Sequence, residues 1–121
     1  MDKIDEDWVK KEVKILLKPF AAEMHWWMPS AGTYGKSGTH DFIITQNGLS
    51  WTIETKAGKN KPTDLQIDFA NNIAKAGGIS LCINEWTLAE VTYVAKYIET
   101  NLAHPAGHDF ETYRKKAGKP K

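Results

Sequence analysis

The sequence predicts an α/β domain, a mixed sheet flanked by helices in the order α-β-β-β-α-β-α. Three observations carry that expectation. Asn47-Gly48 stands between two β-prone runs, HDFIIT and LSWTIETK, and Asn-Gly in that setting is the strongest short-range hairpin signal. Two later segments open with capping-box spacing, Thr63-x-x-Gln66 and Thr87-x-x-Glu90. Between them lies ISLCIN, an apolar run of strand length.

Taken in order, Glu6 to Lys18 carries Val9, Val13, Leu16 and Leu17 at helical spacing with lysines between them, and Pro19 ends the pattern. Glu23 to Met28 (EMHWWM) is short, aromatic and bounded by Pro29, so it reads as a strand. Its neighbours Trp26 and Trp27 face opposite ways, which puts at least one of them in the core. A glycine-rich segment from Ser30 to Thr39 leads into the hairpin, and Gly58 to Pro62 forms the loop after it. Thr63 opens a helix that runs to Ala76, where Gly77-Gly78 end it. ISLCIN is expected as a buried strand with Cys82 in the core, and Thr87 starts a last helix that Pro105 terminates.

With 121 residues, 41% of them hydrophobic and 26% charged, the chain has the composition of one globular domain with a single core. Residues 1–104 form that domain and 105–121 a basic tail. A net charge of +1 excludes a global polyanion-binding signature, although the charge is uneven. Asp2, Asp5, Glu6 and Asp7 crowd the start, while Arg114, Lys115, Lys116, Lys119 and Lys121 crowd the end. The single Cys82 excludes an intrachain disulfide framework and fits a reducing compartment. No segment has the length and apolarity of a membrane span or the pattern of a signal peptide, so the expected setting is cytoplasmic, with no membrane partner. His104, His108 and Asp109 do not make a zinc site, because Pro105 and Gly107 break the helix between them and no Cys joins.

Gly35-Lys36-Ser37 resembles the end of a nucleotide-binding phosphate loop, but two requirements fail. The position five residues before it is Ser30 rather than glycine, and the chain continues into a strand instead of a helix whose amides would face phosphate. Exposed amides in such a loop, with Tyr34, Lys36 and Ser37, can still grip a nucleic-acid backbone without reading its sequence. Lys59 and Lys61 extend that grip from the next loop.

With Asn47 and Gly48 as the turn, Phe42 pairs with Ile53 and Asp41 with Glu54. Phe42, Ile44, Trp51 and Ile53 then form a core face, while Asp41, Glu54 and Lys56 share the other. Two opposed carboxylates repel, and a divalent cation is the physical reason for keeping them together. Hard oxygen ligands at that spacing suit Mg²⁺, Mn²⁺ or Ca²⁺. Lys56 adds a positive charge that orients water or neutralises phosphate. The bland alternative is a solvated hairpin face. Gln66 likewise has a structural reading, as the fourth residue of a capping box.

In these residues the sequence resembles the PD-(D/E)XK nuclease superfamily, in particular its VRR-NUC branch of small phage and repair nucleases. The matching stretches are Gly38-Thr39-His40-Asp41-Phe42, Ile53-Glu54-Thr55-Lys56-Ala57, Pro62-Thr63 through Gln66, and Ala76-Gly77-Gly78. The resemblance implies a restriction-endonuclease-like core and a DNA endonuclease dependent on Mg²⁺ or Mn²⁺. It implies that Asp41 and Glu54 hold the metal with the Thr55 carbonyl, that Lys56 positions the attacking water, and that Gln66 supports the site. Glu6 would complete the metal shell from the first helix, with Glu12 as the other candidate there. Branched, Holliday-junction or flap DNA is the implied substrate class, and a homodimer the implied assembly. His40 departs from the branch, which usually carries proline before the aspartate; a nucleic-acid contact is one role for it, altered activity another. The alternatives are a catalytically inactive nucleic-acid-binding module of the same fold and a protein-interaction domain.

Overall fold

The structure, a computed structural model, describes residues 4–29 and 38–101. In chain order it contains α1 (Glu6–Leu17), a 3₁₀ turn (Lys18–Phe20), β1 (Met24–Trp27), β2 (Phe42–Gln46), β3 (Leu49–Thr55), α2 (Asp64–Lys75), β4 (Ile79–Ile83) and α3 (Ala89–Asn101). Among the described residues no helix is long and apolar enough to cross a membrane.

The hairpin forms in the expected register. Asn47 and Gly48 take φ of 49° and 83°, the left-handed pair that a two-residue turn between twisted strands requires. Phe42 pairs with Ile53, Ile44 with Trp51, and Gln46 with Leu49. β1 adds antiparallel to β2, and β4 adds parallel to β3 after the α2 crossover, giving the sheet order β1-β2-β3-β4. β3 is thus central among antiparallel and parallel neighbours, and every residue from Trp51 to Lys56 is buried.

One face of the sheet carries the apolar core. Val9, Val13 and Leu17 of α1 and Val91, Ala95 and Ile98 of α3 close over Phe42, Ile44, Trp51 and Ile53. Asp5 starts α1 by accepting a 2.9 Å hydrogen bond from the Trp8 amide, and Glu6 and Asp7 lie in its first turn, where the dipole favours negative charge. Trp26 belongs to this face, its ring 5.5 Å from that of Phe42, whereas Trp27 is 52% exposed. α2 lies against β3 and β4 and buries no residue completely.

Two expectations are corrected. Cys82 is exposed rather than core, because among the described residues β4 is the edge of the sheet and lacks a neighbour on its outer side. Thr87 does not form a capping box. Its hydroxyl instead accepts from the Asn84 amide at 2.9 Å and donates to Asn84 Oδ1 at 3.2 Å, and α3 begins two residues later. Asn84 wins this hydroxyl because its own side chain already folds the turn, accepting from the Trp86 amide. The tail 105–121 and the helix end at Pro105 lie outside the described residues, as do His104, His108 and Asp109.

Candidate active site

Asp41 sits in a bend one residue ahead of β2, so the β2–β3 ladder ends at Phe42–Ile53, one pair short of Asp41 and Glu54. Its carboxylate therefore turns onto the end of β3. Oδ2 accepts from the Thr55 amide at 2.9 Å and from the Thr55 hydroxyl at 2.5 Å. Oδ1 faces the Lys10 ammonium of α1 at 3.8 Å.

Glu54 is 3% exposed and divides its oxygens in a similar way. Oε2 accepts from Gln66 Nε2 at 2.8 Å and stands 3.5 Å from Lys56 Nζ. Oε1 is buried with no hydrogen-bond partner. Burial pushes the Glu54 pKa up to about 7 and the Asp41 charge adds to the rise, while Lys56 pulls it back. A buried carboxylate with one orphaned oxygen is costly unless a cation or proton completes it.

Gln66 performs both roles the sequence offers it, and performs them together. Oε1 accepts from the Thr63 amide at 2.9 Å while the Gln66 amide donates to the Thr63 hydroxyl at 3.2 Å, a complete capping box. The opposite end of the same amide group, Nε2, holds Glu54. The start of α2 and the placement of Glu54 are thus one construction.

His40 secures that helix from beneath. It is 3% exposed, packs at a tilt of 50° against Phe69 with ring centroids 4.6 Å apart, and uses both ring nitrogens. Nε2 lies 2.8 Å from the Gln66 carbonyl, which can only accept, so Nε2 carries the proton. Burial lowers the His40 pKa against the opposing pull of the Gln66 carbonyl and the Asp41 charge, favouring the neutral ring. Nδ1 then accepts from the Thr52 hydroxyl at 2.9 Å, which is 2.7 Å from the Ser80 hydroxyl. The expected nucleic-acid contact through His40 is corrected on this ground: the ring is an internal strut with no free polar edge. Gly38 completes the arrangement with φ of 87°. A Cβ there would fall 2.5 Å from the Leu65 carbonyl oxygen, so only glycine lets the chain pass the first turn of α2.

Of the other expected site residues, Glu6 lines an open cleft of about 480 Å³ together with Lys10, Gly58, Asn60 and Glu85. It does not form a trio with Asp41 and Glu54, since among the described residues no three His, Cys, Asp or Glu side chains are grouped to hold a metal. Lys10, one helical turn after Glu6, reaches Asp41 instead. Lys59 and Lys61 are exposed on the loop before α2. Tyr34, Lys36 and Ser37 lie outside the described residues. On the α2 side, His40, Glu54, Gln66, Ser80 and Cys82 line a cavity of about 140 Å³. The sequence reading does not foresee Lys10 or the Thr55 hydroxyl, because both meet Asp41 only through tertiary packing.

The donor set suits a hard cation that keeps much of its hydration. Mg²⁺ is typically bound by one or two carboxylates plus waters and substrate phosphate rather than by a closed protein cage. Within the Asp41–Glu54 pair, Asp41 Oδ1 faces only the Lys10 ammonium among the described residues and Glu54 Oε1 is buried without a hydrogen-bond partner, so these are the oxygens a cation could take, with the Thr55 backbone carbonyl in the same strand between Glu54 and Lys56.

No protein-family model matches the sequence, and no curated protein is significantly similar to it. Among solved structures the chain is similar to one described as a VRR_NUC domain, with a TM-score of 0.58 and 22% sequence identity, across 79% of this chain and 96% of that one. The four-stranded mixed sheet and three helices of the described residues therefore share the fold of that VRR_NUC domain, an α/β core.

Proposed function

We propose that the protein is a DNA endonuclease that uses a divalent cation, Mg²⁺ or Mn²⁺, held by Asp41 and Glu54. The observation that carries this reading is the division of labour within each carboxylate. One oxygen is fixed by the protein, Asp41 Oδ2 by Thr55 and Glu54 Oε2 by Gln66; of the others, Glu54 Oε1 has no hydrogen-bond partner and Asp41 Oδ1 meets only the Lys10 ammonium among the described residues. The VRR-NUC fold supports it.

When bound, a divalent cation supplies Lewis-acid polarisation of a phosphoryl oxygen and eases deprotonation of water at neutral pH. The chain's own residues set the stage for it. Thr55 orients Asp41, Gln66 orients Glu54, and Lys56 places an ammonium beside them to stabilise negative charge developing on the phosphate. Water adds across the ester: its oxygen joins phosphorus, one phosphorus–oxygen ester bond breaks, and the departing sugar oxygen takes up a proton. Exposed Lys59 and Lys61 offer charge to the strand alongside. Branched, junction or flap DNA cut by a homodimer, one site per strand, is the form of this activity we favour.

Incubation with branched and linear DNA, in Mg²⁺ or Mn²⁺ and then with chelator, tests it. Wild type should cut only with cation. Asp41→Asn, which keeps an acceptor for Thr55, and Lys56→Ala should each lower the rate at least about 100-fold with the fold intact by circular dichroism. Binding of DNA without cleavage in either metal would instead support an inactive nucleic-acid-binding module.

A further inference from the structure

We infer that Lys10 occupies the cation's place on Asp41 when no divalent ion is bound, and that it thereby couples metal binding to substrate binding. This rests on the metal reading above. The Lys10 ammonium is 3.8 Å from Asp41 Oδ1, the oxygen that Thr55 leaves free. It also stands 4.0 Å from Asp7, and its side chain is only 27% exposed, so the charge is held at the site. A cation approaching Oδ1 must share it with this ammonium or displace it.

The surroundings of Lys10 favour displacement by a cation, because the ammonium released from Oδ1 still has Asp7 beside it and can turn its other side to an incoming anion. The open cleft it lines carries Asp5, Glu6, Asp7 and Glu85, and among the described residues Lys10 is the one cation in its lining. Such a cleft draws cations towards Asp41 and repels a polyanion. An ammonium released from Oδ1 finds a new partner when a phosphate arrives beside the metal. Nucleic acid therefore lowers the cost of freeing Oδ1, and metal lowers the cost of presenting Lys10 to phosphate. By linkage the two ligands strengthen each other by the same factor.

The experiment measures Mn²⁺ binding by electron paramagnetic resonance at neutral pH, with and without a phosphorothioate DNA strand that resists cleavage. Wild type, Lys10→Met, Lys10→Gln, Lys10→Arg and Asp41→Asn are compared, each checked for folding by thermal melting. Without DNA, Lys10→Met and Lys10→Gln should bind Mn²⁺ about tenfold tighter than wild type, and Lys10→Arg about as wild type does. Adding DNA should tighten Mn²⁺ binding markedly in wild type and much less in Lys10→Met. Folded Lys10→Met and Lys10→Gln with unchanged or weaker Mn²⁺ affinity, or with undiminished coupling to DNA, would overturn the role of Lys10 while leaving the metal site standing. Asp41→Asn binding Mn²⁺ as tightly as wild type would remove the metal site itself.

Discussion

The two faces of the sheet are held by different forces. On the side of α1 and α3, six side chains from the helices meet four from the hairpin, all without solvent exposure. Each large apolar side chain buried there is worth about 1.5–3 kcal/mol. On the other side α2 buries no residue fully, and its sheet-facing stripe of Gln66, Phe69, Ala70 and Ile73 is only half-buried. Polar ties through His40, Thr63 and Gln66 fix it instead, each net contribution being about 1 kcal/mol. Stability thus resides on one face, which leaves the other free to carry a buried acid and a cavity. Directional bonds place functional atoms better than apolar contact does, at the expense of strength.

Breaking the apolar face should have the largest effect. Trp51→Ala should lose about 3–5 kcal/mol in urea unfolding, whereas Leu65→Ala on α2, 54% exposed in the native helix, should stay within about 0.5 kcal/mol. Comparable losses at the two positions would erase the contrast.

The buried acid gives a sharper test, because its effect has a sign. Glu54, held at about 7 when folded and near the ordinary carboxylate range when unfolded, binds more protons in the native state between those values. Its contribution to stability is full in acid and is lost as pH rises through 7. Measured against Glu54→Gln, metal-free wild type should lose on the order of 2 kcal/mol between about pH 5 and about pH 8. Mn²⁺ should restore the loss at the upper pH, and a flat difference would show that Glu54 titrates normally.

The most local effects should fall on the polar ties. His40→Ala should cost about 1–3 kcal/mol and Thr63→Ala about 1 kcal/mol. Hydrogen exchange should show first-turn amides of α2 opening in both variants while α3 amides hold their protection. Uniform loss of protection would mean the two faces melt together.

Much of this contrast was legible along the chain. The Asn-Gly turn pins the register, and the register alone puts Phe42, Ile44, Trp51 and Ile53 on one face and Glu54 and Lys56 on the other. What escaped are contacts made across the fold. ISLCIN reads as a buried strand because apolarity does not reveal that, among the described residues, nothing pairs beyond β4. Lys10 reads as one of several helix lysines, since its link to Asp41 depends on how α1 lies against β3. His40 reads as an anomaly before an acid until Gln66 and Thr52, 26 and 12 residues further on, close around its ring. Thr87 shows the converse failure, in which a correct local spacing yields to an equally local competitor on the other side, Asn84.

The single amide group of Gln66 has a thermal consequence. Helix ends fray well before a domain melts, and here the fraying end carries the only side-chain hydrogen bond that Glu54 accepts apart from its contact with Lys56 among the described residues. On the metal reading proposed above, cleavage should therefore fade on warming before circular dichroism reports melting.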